Sequence, residues 1–271
     1  MSHSLLYGLT ALLALFPASL LPLGRGDRAG GATFWVVLAV AVAGPTAWAV
    51  AQQADQWHTG VSAAIWSSIA VTTMLYWIVC VFDPAARRLA PLLLGYLALL
   101  GVLALLWQNE AARPLGAARA SAWFAAHILV AIVAYGFLTL AAIAGAAVAL
   151  RQRALKAKRS GGFVGGLPSI AEGEELQGRM LRLSALLLGA ALISGMTVEW
   201  VQRRLLLPLD HKTVLSVLTF VLILGVLALR RRGGLSARRA AHYVLVAYLL
   251  LTLAYPGVKF VTDVLLRPAA S

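Results

Sequence analysis

Residues 122–150 read AWFAAHILVAIVAYGFLTLAAIAGAAVAL, and this stretch decides the fold. It contains no Asp, Glu, Lys or Arg, and its ionisable groups are His127 and Tyr135. About 20 mostly apolar residues suffice for a helix to cross the hydrocarbon of a bilayer. Outward from this run, similar stretches occur at about 4–23, 32–51, 63–82, 89–107, 183–202, 212–230 and 243–263. The sequence therefore predicts an all-α, polytopic membrane helix bundle of about eight transmembrane helices. Residues 1–271 form a single integral membrane domain in this reading, with no internal repeat and no soluble domain.

Composition agrees. The 271 residues are 61% hydrophobic and 12% charged, against about 25% charged in a soluble domain. The net charge of +13 would suggest nucleic acid in a soluble protein. Here the basic residues flank apolar runs, where they fix orientation, so nucleic acid is not an expected partner. Cys80 is the single cysteine and lies in an apolar run, which excludes a disulfide framework and a CxxCH haem-attachment site. The opening MSHSLLYGLTALLALFPASLLPL lacks a basic n-region and an A-x-A-like exit, and reads as a first span rather than a signal peptide.

Between the spans lie GRGDRAGG, QQADQWHTG, DPAARR, QNEAARPLGAARAS, a basic stretch over 151–182, RRLLLPLDH and RRRGGLSARRAAH. The centre of the 151–182 stretch, SGGFVGGLPS, is Gly-rich and predicts a mobile loop that tolerates insertion. Lys and Arg divide unevenly. Sixteen of the 23 lie in the odd-numbered loops, among them Arg25, Arg87, Arg151, Arg182 and Arg230–Arg232. The other side carries Arg113, Arg119, Arg203, Arg204, Lys212 and Arg267. The positive-inside rule then puts the odd loops in the cytoplasm and both termini outside. Trp57, Trp107, Trp123 and Trp200 fall near outer ends as an aromatic belt. Small residues at Ala141/Gly145 and Ala185/Gly189 permit close helix approach.

Chemistry-bearing residues are few. Of the five histidines, His3 is terminal, His242 opens span eight among Arg238 and Arg239, and His58 lies in the second loop. His127 lies well inside span five, where an ionisable side chain is costly and marks a functional site by default. It reads either as a metal ligand or as a neutral histidine hydrogen-bonded across helices. Tyr135, two turns deeper on the same helix face, is its nearest polar companion along that face. His211 stands in Asp210-His211-Lys212, where Asp210 can cap span seven. Arg113, Arg119, Arg204 and Lys212 can pair with anionic groups such as haem propionates. Arg203 is placed for an i,i+4 ion pair with Glu199. GxSxG, GxxxxGK[ST], HExxH and paired Cys/His zinc spacing are all absent, so no catalytic residue and no enzymatic activity are expected.

From about residue 115 to 266 the order of features resembles the cytochrome c assembly protein family. This is the haem-handling superfamily of CcsA, CcmC and CcmF, and the closest resemblance is to its YpjD-like branch. The matching segments are AHILVAIVAYGFLTLA, GLPSIAEGEELQGRMLRLS, GAALISGM, LDHKTVLSVLTFVLILGVLALRRRGGLSARRAAH and LLLTLAYPGVKF, and the whole assembly-like region is drawn at about 60–266. The resemblance implies a multi-pass bacterial inner-membrane protein that holds b-type haem noncovalently near the periplasmic face. His127 and His211 are the implied axial ligands to the haem iron. The implied partners are the lipid bilayer, haem, and cytochrome c assembly proteins or an apocytochrome. The tryptophan-rich WWD-type outer segment is absent, and QNEAARPLGAARASAW stands in its place. A haem-binding or accessory role follows better from this than haem lyase or export activity. Pro45 in span two and Pro256 in span eight are potential helix breaks, which a small-solute or ion transporter would use. A structural membrane subunit without haem is the third reading.

Overall fold

A computed structural model describes residues 3–19, 31–53, 60–108, 122–158, 161–203 and 210–257. Every predicted apolar stretch holds a helix: α1 (His3–Ser19), α2 (Ala32–Ala51), α3 (Val61–Phe82), α5 (Ala90–Leu106), α6 (Ala122–Lys156), α8 (Ile170–Arg203), α9 (His211–Arg231) and α10 (Ala237–Thr252). Two short helices, α4 (Pro84–Arg87) and α7 (Gly162–Gly166), lie in connections, and a π-turn over Leu253–Gly257 follows α10. No strand occurs among the described residues. Five of the helices, α2, α3, α6, α8 and α9, are long and apolar enough to cross a membrane. The chain is a multi-pass membrane protein.

Helix α3 is the hub between two groups, because it packs on α2 and α5 on one side and on α6 on the other. Helix α1 closes the first group against α2 and α5. In the second group α6 and α8 share the most extensive interface, α10 packs on α6, and α9 packs on α8 and α10. The predicted small-residue contacts are present. A Cβ on Gly145 would lie 3.3 Å from the Ala241 backbone of α10, and one on Gly189 would lie 3.2 Å from the Phe220 ring of α9. These bare positions let helix backbones approach where only dispersion holds them together.

The 151–182 segment is more ordered than its charge suggests. Helix α6 continues through Lys156 and α8 begins at Ile170. At 35 and 34 residues, and about 1.5 Å per residue, both outrun a hydrocarbon core of about 30 Å. Hydropathy registers only the apolar part, whereas Lys, Arg, Glu and Gln continue a helix in water without penalty. Ser169 and Glu172 start α8 as a capping box: the Ser169 N–H donates to Glu172 Oε2 at 2.8 Å and the Glu172 N–H to Ser169 Oγ at 3.2 Å. The Gly-rich centre also departs from the mobile loop predicted for it. It forms α7, whose Val164 carbonyl accepts from Arg151, and Leu167 is fully buried.

The turn between α3 and α5 is fastened to the extended part of α8. Asp83 caps α4 by accepting from the Ala85 N–H at 2.9 Å, and it pairs with Arg179 at 3.0 Å. Arg88 meets Glu172 at 3.5 Å. Tyr76 donates to the Ala86 carbonyl at 3.0 Å, and Arg87 donates to the Cys80 carbonyl at 2.9 Å while lying over Trp35. Arg87 and Arg88, at the turn between α3 and α5, therefore gather with the arginines of α8 and, through the contacts of Arg230 to Gln177 and Glu174, with the last turn of α9 at one end of the bundle.

Of the two potential breaks, Pro45 does not interrupt its helix, whereas the α-helix does give way at Pro256. Helix α2 runs unbroken past Pro45, as membrane helices allow when neighbours satisfy the freed backbone groups. Near Pro256, which lacks an N–H, α10 relaxes into the π-turn.

Candidate functional site

His127 lies in the second turn of α6, half-buried against α8. Its Nδ1 is 2.8 Å from Ser194 Oγ. The ring enters a notch at Gly195, where a Cβ would sit 3.0 Å from Cε1, and the Ala191 backbone is a second polar neighbour. Ala191, Ser194 and Gly195 follow one another at i, i+3 and i+4, so one face of α8 receives the imidazole. The interior cost of this polar ring is met by an interhelical hydrogen bond.

Tyr135 does not share the face of His127, contrary to the sequence expectation. Eight residues at about 100° each leave the two side chains about 80° apart around the helix, so His127 meets α8 and Tyr135 meets α10. The Tyr135 hydroxyl lies 2.7 Å from that of Tyr248 and 3.2 Å from Thr252 Oγ1, and Tyr248 in turn hydrogen-bonds Tyr96 of α5. Thr252 donates to the Tyr248 carbonyl at 2.8 Å. This hydroxyl cluster is half-buried where α5, α6 and α10 meet, and its Thr252 stands one residue before the π-turn. Sequence reading found Tyr135 but missed Tyr96 and Tyr248. The signal available for the second was Tyr248 and Thr252 at i, i+4, four residues ahead of Pro256.

His211 is placed differently. It is the first residue of α9, exposed, behind Asp210, which caps the helix by accepting from the Thr213 N–H at 2.8 Å. Lys212 beside it is also exposed. Helix α9 packs on α8 and α10 rather than on α6, and no hydrogen bond joins the two histidines among the described residues. His242 is exposed at the start of α10, next to Tyr243. Arg113, Arg119, Arg204, His58 and Trp57 lie outside the described residues, as do the side chains of His3 and Arg203. Trp123 and Trp200 are exposed near the start of α6 and the end of α8, and Trp107 ends α5, which is the disposition of a belt at one end of the bundle.

Fold and site together define a multi-pass helical membrane protein with a histidine lodged between two of its longest helices and no cluster of three or more His, Cys, Asp or Glu suited to a bare metal ion among the described residues. The chain belongs to the cytochrome c assembly protein family, which it matches over residues 31–266. The match thus reaches back to include α2 and α3. It is also similar to a protein of Azospirillum brasilense described as an uncharacterized 28.8 kDa protein in the nifR3-like 5' region. That relative is 46% identical over 270 residues, which cover 98% of this chain and 100% of the relative. No solved structure matches the chain.

Haem is the group this family handles, and His127 is the residue between α6 and α8 that would hold its iron. A metal-bound histidine characteristically has its other ring nitrogen engaged by a neighbour, and Ser194 engages Nδ1 of His127 here. That leaves Nε2 as the nitrogen through which iron would be held.

Proposed function

We propose that this protein is a haem-binding factor of cytochrome c biogenesis in the bacterial inner membrane, a binder rather than an enzyme. The observation that carries the reading is His127, an imidazole inside the bundle with its Nδ1 on Ser194, in a chain of the cytochrome c assembly family. Eight helices span the membrane in this account, with both termini and the His127 end on the periplasmic side and the Arg-rich end in the cytoplasm. His127 supplies an axial nitrogen to noncovalently bound b-type haem, and the redox chemistry is that of the iron. His211 is the second ligand candidate from the sequence. Its exposed position at the start of α9 suits it to close over a haem from the periplasmic side, with Lys212, Arg113, Arg119 and Arg204 available to the propionates. Partners of matching chemistry are other cytochrome c assembly proteins and an apocytochrome.

A second reading rests on the same hydrogen bond. His127 as a neutral fastener between α6 and α8 needs no haem, and the protein is then a structural membrane subunit. Deletion of the gene separates the two in the cell. The haem-binding reading expects a fall in haem-stained c-type cytochromes that is restored by the wild-type gene and not by a stably inserted His127→Ala copy. Full restoration by His127→Ala would favour the structural reading.

A further inference from the structure

The end of the bundle opposite His127 carries a feature that haem binding at His127 does not use. A cleft of about 430 Å³ opens between the first turns of α8 and the last turn of α9. Its polar walls are Glu174, Glu175 and Arg182 from α8 and Arg230 and Arg231 from α9, with Gly178 at the floor.

Two guanidinium groups converge there. A Cβ on Gly178 would lie 3.6 Å from Nη1 of Arg182 and 3.7 Å from Nη1 of Arg230. Arg230 is held in place, donating from Nη1 to Gln177 Oε1 at 3.2 Å and from Nη2 to the Glu174 carbonyl at 3.0 Å. Arg182 and Arg231 have no ion pair among the described residues. Of the two acids, Glu175 is engaged with Arg179 at 3.4 Å, which leaves Glu174 to offset three arginines. Like charges brought to one cleft repel, and an anion between them reverses that term. Arg forks match phosphate oxygens in pairs, and one preset fork beside two free ones is a site for a phosphate group.

The surroundings say which kind of phosphate. Leu227 lines the cleft. Leu186, one turn past Arg182, and Leu224, one turn before Leu227, are exposed apolar side chains on the same two helices, running from the cleft toward the bundle's apolar middle. A cationic mouth above an apolar lane matches a headgroup above its acyl chains. Basic pockets between membrane helices on the cytoplasmic side hold anionic headgroups. We infer that Arg182, Arg230 and Arg231 form a binding site for the phosphate of an anionic membrane lipid, seated between α8 and α9 at the Arg-rich end of the bundle.

The test uses the full-length protein in a neutral detergent, with thermal unfolding followed as mixed micelles of phosphatidylglycerol, phosphatidylcholine or, separately, inorganic phosphate are added. Wild type is expected to show a saturable rise in Tm with phosphatidylglycerol, larger than with phosphatidylcholine. The Arg182→Gln/Arg231→Gln double variant spares the Arg230 contacts. It should keep the wild-type Tm in phosphatidylcholine and need about 100-fold more phosphatidylglycerol for the same rise, the loss of two charge-assisted contacts of about 1.4 kcal/mol each, against about tenfold for one. Arg231→Gln alone, at an exposed position, provides the same comparison if the double variant is unstable. Equal phosphatidylglycerol responses in wild type and variants overturn the site. Protection by inorganic phosphate without protection by the lipid overturns its assignment to a membrane lipid.

Discussion

Arg179 of α8 and Asp83 at the start of α4 form an ion pair of 3.0 Å in which the carboxylate is almost buried and the guanidinium half-exposed. Asp83 does two things at once, since the same side chain caps α4. A half-exposed pair contributes up to about 1 kcal/mol, and a cap contributes about another 1 kcal/mol. Asp83→Ala should therefore lower the Tm in detergent more than Arg179→Gln. Asp83→Asn, which keeps the capping oxygen and loses only the pair, should match Arg179→Gln. Equal effects of Asp83→Ala and Asp83→Asn would show that the cap contributes nothing.

The connection between α6 and α8 should tolerate insertion unevenly. Gly161 and Gly162 are exposed, and a Cβ at either would meet nothing within 4 Å. Leu167, six residues after Gly161, is buried in the core. A short tag after Gly161 should leave the membrane yield near wild type, whereas the same tag after Leu167 should reduce it severalfold. Equal yields would mean that α7 and Leu167 are not docked.

Tyr248 is the middle member of the hydroxyl cluster, bonded to both Tyr96 and Tyr135. Tyr248→Phe removes two hydrogen bonds and leaves two hydroxyls short of a partner, whereas Tyr96→Phe removes one. At about 0.6 kcal/mol for an interhelical bond in a membrane protein, Tyr248→Phe should cost about 1 kcal/mol and Tyr96→Phe about half that. Thermal unfolding of the two tyrosine variants beside wild type reads the order. A smaller loss for Tyr248→Phe than for Tyr96→Phe would contradict the connectivity.

The proposed orientation rests on the positive-inside count. An alkaline phosphatase fusion after Arg159 should be inactive, and one after Ser271 active. The reverse pattern would invert the bundle and bring His127 to the cytoplasmic half.

The helices were legible in the sequence because a run such as 122–150 has one physical explanation, transfer into hydrocarbon. What extends beyond the hydrocarbon was not. The hydropathy of Arg151–Lys156 and of Ile170–Arg182 is that of a loop, and only the Ser169–Glu172 capping box marks where α8 starts. The site was legible at His127 and illegible around it. Ser194 and Gly195 stand in GAALISGM among other small residues, and nothing local selects them until α8 is laid against α6. Tyr96 and Tyr248 are far apart in the chain and meet through packing alone. His211 was legible as a helix start, since Asp210 caps it as expected, but sequence order carries no information on whether α9 faces α6.

The central claim is that His127 holds haem. The direct measurement is the absorption spectrum of wild-type, Ser194→Ala and His127→Ala proteins purified in mild detergent from haem-replete cells, with the Soret band expressed per mole of protein. The account predicts a Soret band in wild type and its loss in His127→Ala. In Ser194→Ala the haem should be held about 10- to 100-fold more weakly, as when a supporting contact to a metal-bound histidine is removed. A Soret band of equal size in wild type and His127→Ala, or none in wild type after reconstitution with added haemin, would contradict it.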